Sequence, residues 1–160
     1  MILLERHLMV TRKKLPVALE HDEAVALMQW VDLVVNRYPE LELLFHVPNG
    51  GFRSKNTAKK LKAEGVKKGV PDYILPVSRG PYHGLFLELK RTRGGKTSPE
   101  QEALINKLRK QGYLALVAKG WEHASRILMG YLSLLSPVIP EGKLTIPEID
   151  MRPGVVKPYP

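Results

Sequence analysis

Cysteine is absent from the 160 residues. Its absence excludes disulfide bridges and thiolate metal centres, and it is the usage expected in a reducing, cytoplasmic compartment. No long hydrophobic run is present either. The opening stretch MILLERHLMVTRKKL is broken by Glu5, Arg6 and His7, so neither a signal peptide nor a membrane span is expected there. No internal repeat is visible. Acidic residues are scarce, with 16 Asp and Glu against 25 Lys and Arg, and the resulting charge of +9 favours polyanionic partners. With 44% hydrophobic and 26% charged residues, the chain otherwise reads as one ordinary globular domain.

The positive charge is concentrated. FRSKNTAKKLKAEGVKKGV, residues 52–70, contains seven basic residues and a single acid, Glu64. Such a run is either a solvated helix face or a surface for phosphates. Around it the hydrophobic periodicity predicts a mixed sheet flanked by helices. An amphipathic helix is expected over 22–36, with Val25, Met28, Val31 (or Asp32) and Val35 on one face and Asp22 near its start. LELLFHV (41–47) reads as a short strand closed by the turn Pro48-Asn49-Gly50-Gly51. A short helix over 56–64 stops at Gly65, and strands are expected at 72–77, 84–90 and 113–119. SPEQEALINKLRKQG carries full helix punctuation: Ser98 as N-cap, Pro99 in the first turn, Gln101 at the capping-box position and Gly112 as terminator. A last helix begins at WEHA. The predicted organisation is an N-terminal arm (1–19), a domain (20–135) and a proline-rich tail (136–160).

The chemistry is carried by FLELK, residues 86–90. Side chains two apart on a strand share a face, so Glu88 and Lys90 project together while Leu87 and Leu89 face the other way. The strand that begins at Asp72 is expected to run antiparallel beside it, which places Asp72 within reach of Glu88. Two adjacent carboxylates repel unless one is protonated or a cation lies between them. An all-oxygen site of this kind suits Mg²⁺ or Mn²⁺. Lys90 can offset charge growing on a phosphate during attack by water. Glu23, near the start of the first helix, can add a ligand from a third direction.

Pro71-Asp72 followed by Glu88-Leu89-Lys90 matches the PD-(D/E)xK nuclease signature. The wider string HVPNGGFRS, LKAEGVKKGVPDYILPV, YHGLFLELK, GKTSPEQ and GYLALVAKGWEHA resembles the VRR-NUC nuclease family over residues 20–132, most closely its compact phage and bacterial members. The resemblance implies a restriction-endonuclease-like α/β core and a divalent metal held by Glu23, Asp72, Glu88 and the Leu89 carbonyl. Glu20, one turn before Glu23, is the alternative helix ligand. It also implies a catalytic Lys90 and an active-site role for Gln101 beside its capping role. Small members of the family act as homodimers on branched DNA, which implies cleavage of four-way junctions. Nucleases of flaps or of a particular duplex sequence, and a non-catalytic DNA-binding module, are the rival readings.

For DNA contact the candidates are Arg53 and Lys55 after the glycine turn, and Lys59, Lys60, Lys67 and Lys68 in the basic segment. Arg91, Arg93 and Lys96, which leave the active strand, are positioned to steer the backbone. His46 and His83 read as hydrogen-bonded strand or turn residues, and Trp30 and Trp121 as core packing.

Overall fold

A computed structural model describes residues 19–48 and 54–136. The arm before Leu19, the tail after Ser136, the Asn49–Gly51 turn and Arg53 lie outside the described residues. Helix α1 spans Glu20–Val34. The Leu19 amide donates to Asp22 Oδ2 at 2.9 Å, and three acidic residues in the first turn suit the positive end of the helix dipole. Its buried positions are Glu23, Leu27 and Val31, with Ala24, Met28 and Val34 packed beside them. The expected stripe is therefore rotated, and Val25 is largely exposed. The helix carries apolar residues almost all round, so packing rather than pattern selects the buried face.

The strand expected over 41–47 is mostly a 3-10 helix, Pro39–Leu43, followed by a two-residue strand β1, Phe45–His46. Pro39 opens that turn with its fixed φ, and Leu41 and Leu44, three residues apart, are the two that are buried. Alternation would instead have buried Leu43, which is exposed. Helix α2 (Lys55–Ala63), strand β2 (Tyr73–Leu75), strand β3 (Leu85–Lys90), helix α3 (Pro99–Lys110), strand β4 (Leu114–Lys119) and helix α4 (Trp121–Leu132) follow at the expected places.

The four strands form one sheet in the order β1-β2-β3-β4. The first three are antiparallel and β3 pairs parallel with β4, the α3 crossover making that connection possible. Strand alternation gives the sheet two different faces. Leu85, Leu87 and Leu89 join Tyr73, Leu75 and Ala118 in a core closed by Leu27, Val31, Ala124, Leu128 and Tyr131 of α1 and α4. Trp30 and Trp121 pack against that core. The opposite face carries Phe86, Glu88 and Lys90.

At the far end of β4, Gly120 turns the chain into α4. Its amide donates to the Lys90 carbonyl at 2.7 Å with φ at +81°. A Cβ here would lie 2.8 Å from Thr92 Oγ1 and 3.3 Å from Glu23 Oε2. Gly120→Ala is therefore expected to lower unfolding free energy by about 1–3 kcal/mol, measured by urea denaturation. An unchanged midpoint would contradict this close approach.

Candidate active site

Tyr73 lies opposite Leu87 in the β2–β3 register, and continuing that register by one residue sets Asp72 opposite Glu88. Beyond Tyr73 the β2 ladder has ended. The Leu89 amide, which points to the β2 side, is taken up by Asp72 Oδ2 at 2.8 Å. The same alternation directs the Leu89 carbonyl toward Asp72. One aspartate thus extends the sheet with its side chain and stays beside the glutamate.

Glu88 is fully buried. Its Oε1 accepts from Lys90 Nζ at 2.6 Å and from Gln101 Nε2. Its Oε2 is buried with no hydrogen-bond partner. Gln101 does two jobs at once. Its backbone amide donates to Ser98 Oγ at 3.2 Å and its Oε1 accepts the Ser98 amide at 2.8 Å, completing the capping box, while its Nε2 reaches Glu88. The start of α3 is thereby tied to the carboxylate.

Lys90 is nearly buried, and its ammonium also contacts Glu20 Oε1 at 3.1 Å. Glu20, not Glu23, is the α1 carboxylate that reaches this cluster. Glu23 accepts from Thr92 Oγ1 at 2.6 Å and from the Trp121 amide at 2.9 Å, so both its oxygens are engaged. Gly120 offers no capping side chain to α4, and Glu23 supplies that cap from another helix. Of the residues expected to hold the metal, Asp72, Glu88 and Leu89 lie together, whereas Glu23 is engaged by Thr92 and the start of α4.

The electrostatics follow from the burial. Desolvation pushes the Glu88 carboxyl up to about 7, with Asp72 adding to the rise and the Lys90 hydrogen bond opposing it. Desolvation also raises Asp72, against the Leu89 amide and Lys90, which pull it down. Burial draws Lys90 down, but its bonds to Glu88 and Glu20 outweigh this and leave it above its ordinary value. A buried carboxylate oxygen without a partner, beside a second carboxylate, is a donor set that fits a hard divalent cation. Among the described residues no three carboxylate or imidazole side chains form a closed cation cage. A cation here would complete its shell with backbone and solvent oxygens.

The remaining expected residues are spread over the surface. Arg91, Arg93 and Lys96 are exposed in the loop that leaves β3. Lys59, Lys60, Lys67 and Lys68 are exposed on α2 and the turn after it, and Lys55 opens that helix. His46 sits edge-on to Tyr73 with ring centroids 5.2 Å apart, and His83 contacts Tyr113 in the same way at 5.7 Å. Thr92 and Gly120, which lie against Glu23, have no role assigned by the motifs of the sequence. The absence of a capping side chain before WEHA is the local signal that another residue must cap α4.

In the absence of metal the raised Glu88 pKa has a definite sign. The folded state holds its proton more tightly than the unfolded state, so this contribution is full below about pH 4.5 and is lost as pH rises through about 7. The loss amounts to roughly 3 kcal/mol. With a chelator present, Glu88→Gln should therefore gain stability relative to the wild type as pH rises, read by urea denaturation. A constant difference between the two proteins across that range would contradict the burial of an ionisable Glu88.

The family model of the VRR-NUC domain matches residues 28–122. A solved structure described as a VRR_NUC domain protein is similar to this chain at 31% identity, with a TM-score of 0.64, covering 76% of this chain and 93% of its own. No curated protein matches the chain. The mixed four-stranded sheet flanked by helices is the α/β, restriction-endonuclease-like architecture anticipated from the motif. The chain belongs to the VRR-NUC domain family of nucleases.

Proposed function

We propose that the protein is a divalent-metal-dependent DNA endonuclease that hydrolyses phosphodiester bonds at the Asp72–Glu88–Lys90 cluster. The observation that carries this reading is the buried, unpartnered Glu88 Oε2 beside Asp72. Asp72, Glu88 and the Leu89 carbonyl would hold Mg²⁺ or Mn²⁺, with solvent oxygens completing the shell and Glu20 pairing with Lys90 beside it. The bound ion would supply Lewis-acid polarisation of the scissile phosphate and a more acidic water. Gln101 keeps the Glu88 carboxylate in one orientation, and Glu88 in turn holds the Lys90 ammonium. From there Lys90 offsets the negative charge that develops on the phosphate as water attacks. Arg91, Arg93 and Lys96 present their charges directly beyond the active strand and favour the DNA backbone there. No helix among the described residues is long and apolar enough to cross a membrane.

The finer reading is cleavage of branched DNA, with the four-way junction as preferred substrate and a homodimer as the working form. One such cluster among the described residues supports it, because resolving a junction requires two cuts and a two-fold dimer supplies two sites. Junction, flap and linear duplex should be tested side by side with the metal present. Preferential junction cutting is expected, and cutting only of linear duplex at one sequence would replace this reading by the restriction-type one. Lys90→Ala should slow cleavage by about a hundredfold or more. A variant as fast as the wild type would remove Lys90 from the chemistry.

The two α1 glutamates separate in the same assay. Glu20→Gln should reduce cleavage while leaving thermal stability unchanged, since Glu20 is half-exposed. Glu23→Ala should instead cost about 1–3 kcal/mol of stability by stripping the Trp121 amide and Thr92 of their acceptor. The reverse pattern would return Glu23 to the ligand set.

A further inference from the structure

Helix α2 is not built like the rest of the domain. None of its described residues is buried, and only Leu61 is half-covered. Its order is local. Ser54 Oγ accepts the Thr57 amide at 3.2 Å at one end. At the other, the Gly65 amide donates to Lys62 O at 3.2 Å and the Val66 amide to Leu61 O at 2.9 Å, with Gly65 at φ +94°. A nine-residue helix without a packed face is marginal in water. Something outside the core has to hold it in place.

Its charge indicates what that is. Residues 54–70 contain six lysines and one glutamate. The Lys60–Glu64 pair, at 4.0 Å with both side chains mostly exposed, neutralises little of this. Lys68 has Glu100 nearby. The helix lacks a continuous apolar stripe that a protein groove or a bilayer would require. A polyanion with closely spaced charges fits it, and duplex DNA is that polyanion.

The roots of the segment are at the site itself. The chain leaves the sheet after β1 and returns at Asp72, where the Val47 amide donates to the Asp72 carbonyl at 2.7 Å. Just before that return, Gly69, at φ +80°, lies against the first turn of α3. A Cβ on it would stand 2.6 Å from the Glu100 carbonyl and 2.8 Å from the Gln101 amide. The root is thus seated on the helix that holds Glu88, while none of the described side chains of the helix above it is buried.

We infer that α2 is a phosphate-gripping arm, anchored at Asp72 and at the start of α3, that becomes firmly ordered only when duplex DNA beyond the scissile bond lies against it. This inference rests on the nuclease reading and adds the footprint of its substrate. It is tested on the full chain with chelator present, so that DNA is bound and not cut. Binding of a labelled duplex by the wild type and by Lys59→Gln/Lys60→Gln/Lys62→Gln is measured against salt. The triple variant should reduce the slope of log affinity against log salt by about 2–3. Its thermal stability should match the wild type, because none of the three side chains is buried. Amide exchange over 55–63 should be fast in the free protein and slowed by DNA.

An unchanged slope, or exchange in α2 that DNA leaves fast, overturns the arm. Binding to anionic-lipid vesicles that falls in the triple variant while the DNA slope stands also overturns it, in favour of a membrane surface. The nuclease reading is judged separately, by wild-type cleavage with metal restored. A protein that shows the slope change and never cuts DNA keeps the arm and loses the nuclease.

Discussion

Burying the Glu88 carboxylate is the constraint to which the rest of the site responds. A charge without exposed surface is costly unless it is paired or coordinated. Glu88 pairs through one oxygen only, with Lys90 and Gln101, and leaves the other bare. Asp72 aggravates the cost instead of relieving it, since it stands across the sheet as a second carboxylate. This arrangement is costly in the metal-free protein, and the cation proposed here would offset that cost.

The scaffold explains how such a site stays in one geometry. β3 carries both chemistries on opposite faces, leucines into the α1–α4 core and Glu88 with Lys90 away from it. Three elements then clamp the strand's end. α3 arrives through the capping box and hands Gln101 to Glu88. α1 brings Glu20 to Lys90, and one turn later places Glu23 under the start of α4. Gly120 lets β4 pass close enough for its amide to reach the Lys90 carbonyl. Glu20 and Glu23 share a helix face but divide their contacts, one toward Lys90 and one toward Thr92 and the start of α4.

Much of this is legible in the sequence, and the reasons are local. Period-two alternation in FLELK assigns leucines to one face and Glu88 with Lys90 to the other, and the antiparallel register with Asp72 follows from the turn between two short strands. Ser98, Pro99, Gln101 and Gly112 mark α3 because caps are short-range interactions. Legibility failed where distant packing decides. On α1 nearly every face offers an apolar residue, so Tyr73 and α4 choose Leu27 and Val31. The same rotation decides whether Glu20 or Glu23 meets Lys90, and that depends on Gly120, almost a hundred residues away. At 39–44, Pro39 with leucines spaced by three favours a 3-10 turn over the alternation that suggests a strand. The partner role of Thr92 has no sequence signature at all.

The central claim is that Asp72 and Glu88 form a cation site around the unpartnered Glu88 oxygen. Titration calorimetry of the chelator-freed protein with Mn²⁺, without DNA, tests it most directly. The wild type should bind the ion saturably, and Glu88→Gln and Asp72→Asn should each lose most of that binding while remaining folded. Binding retained at wild-type strength in both variants would place the metal elsewhere and contradict the account.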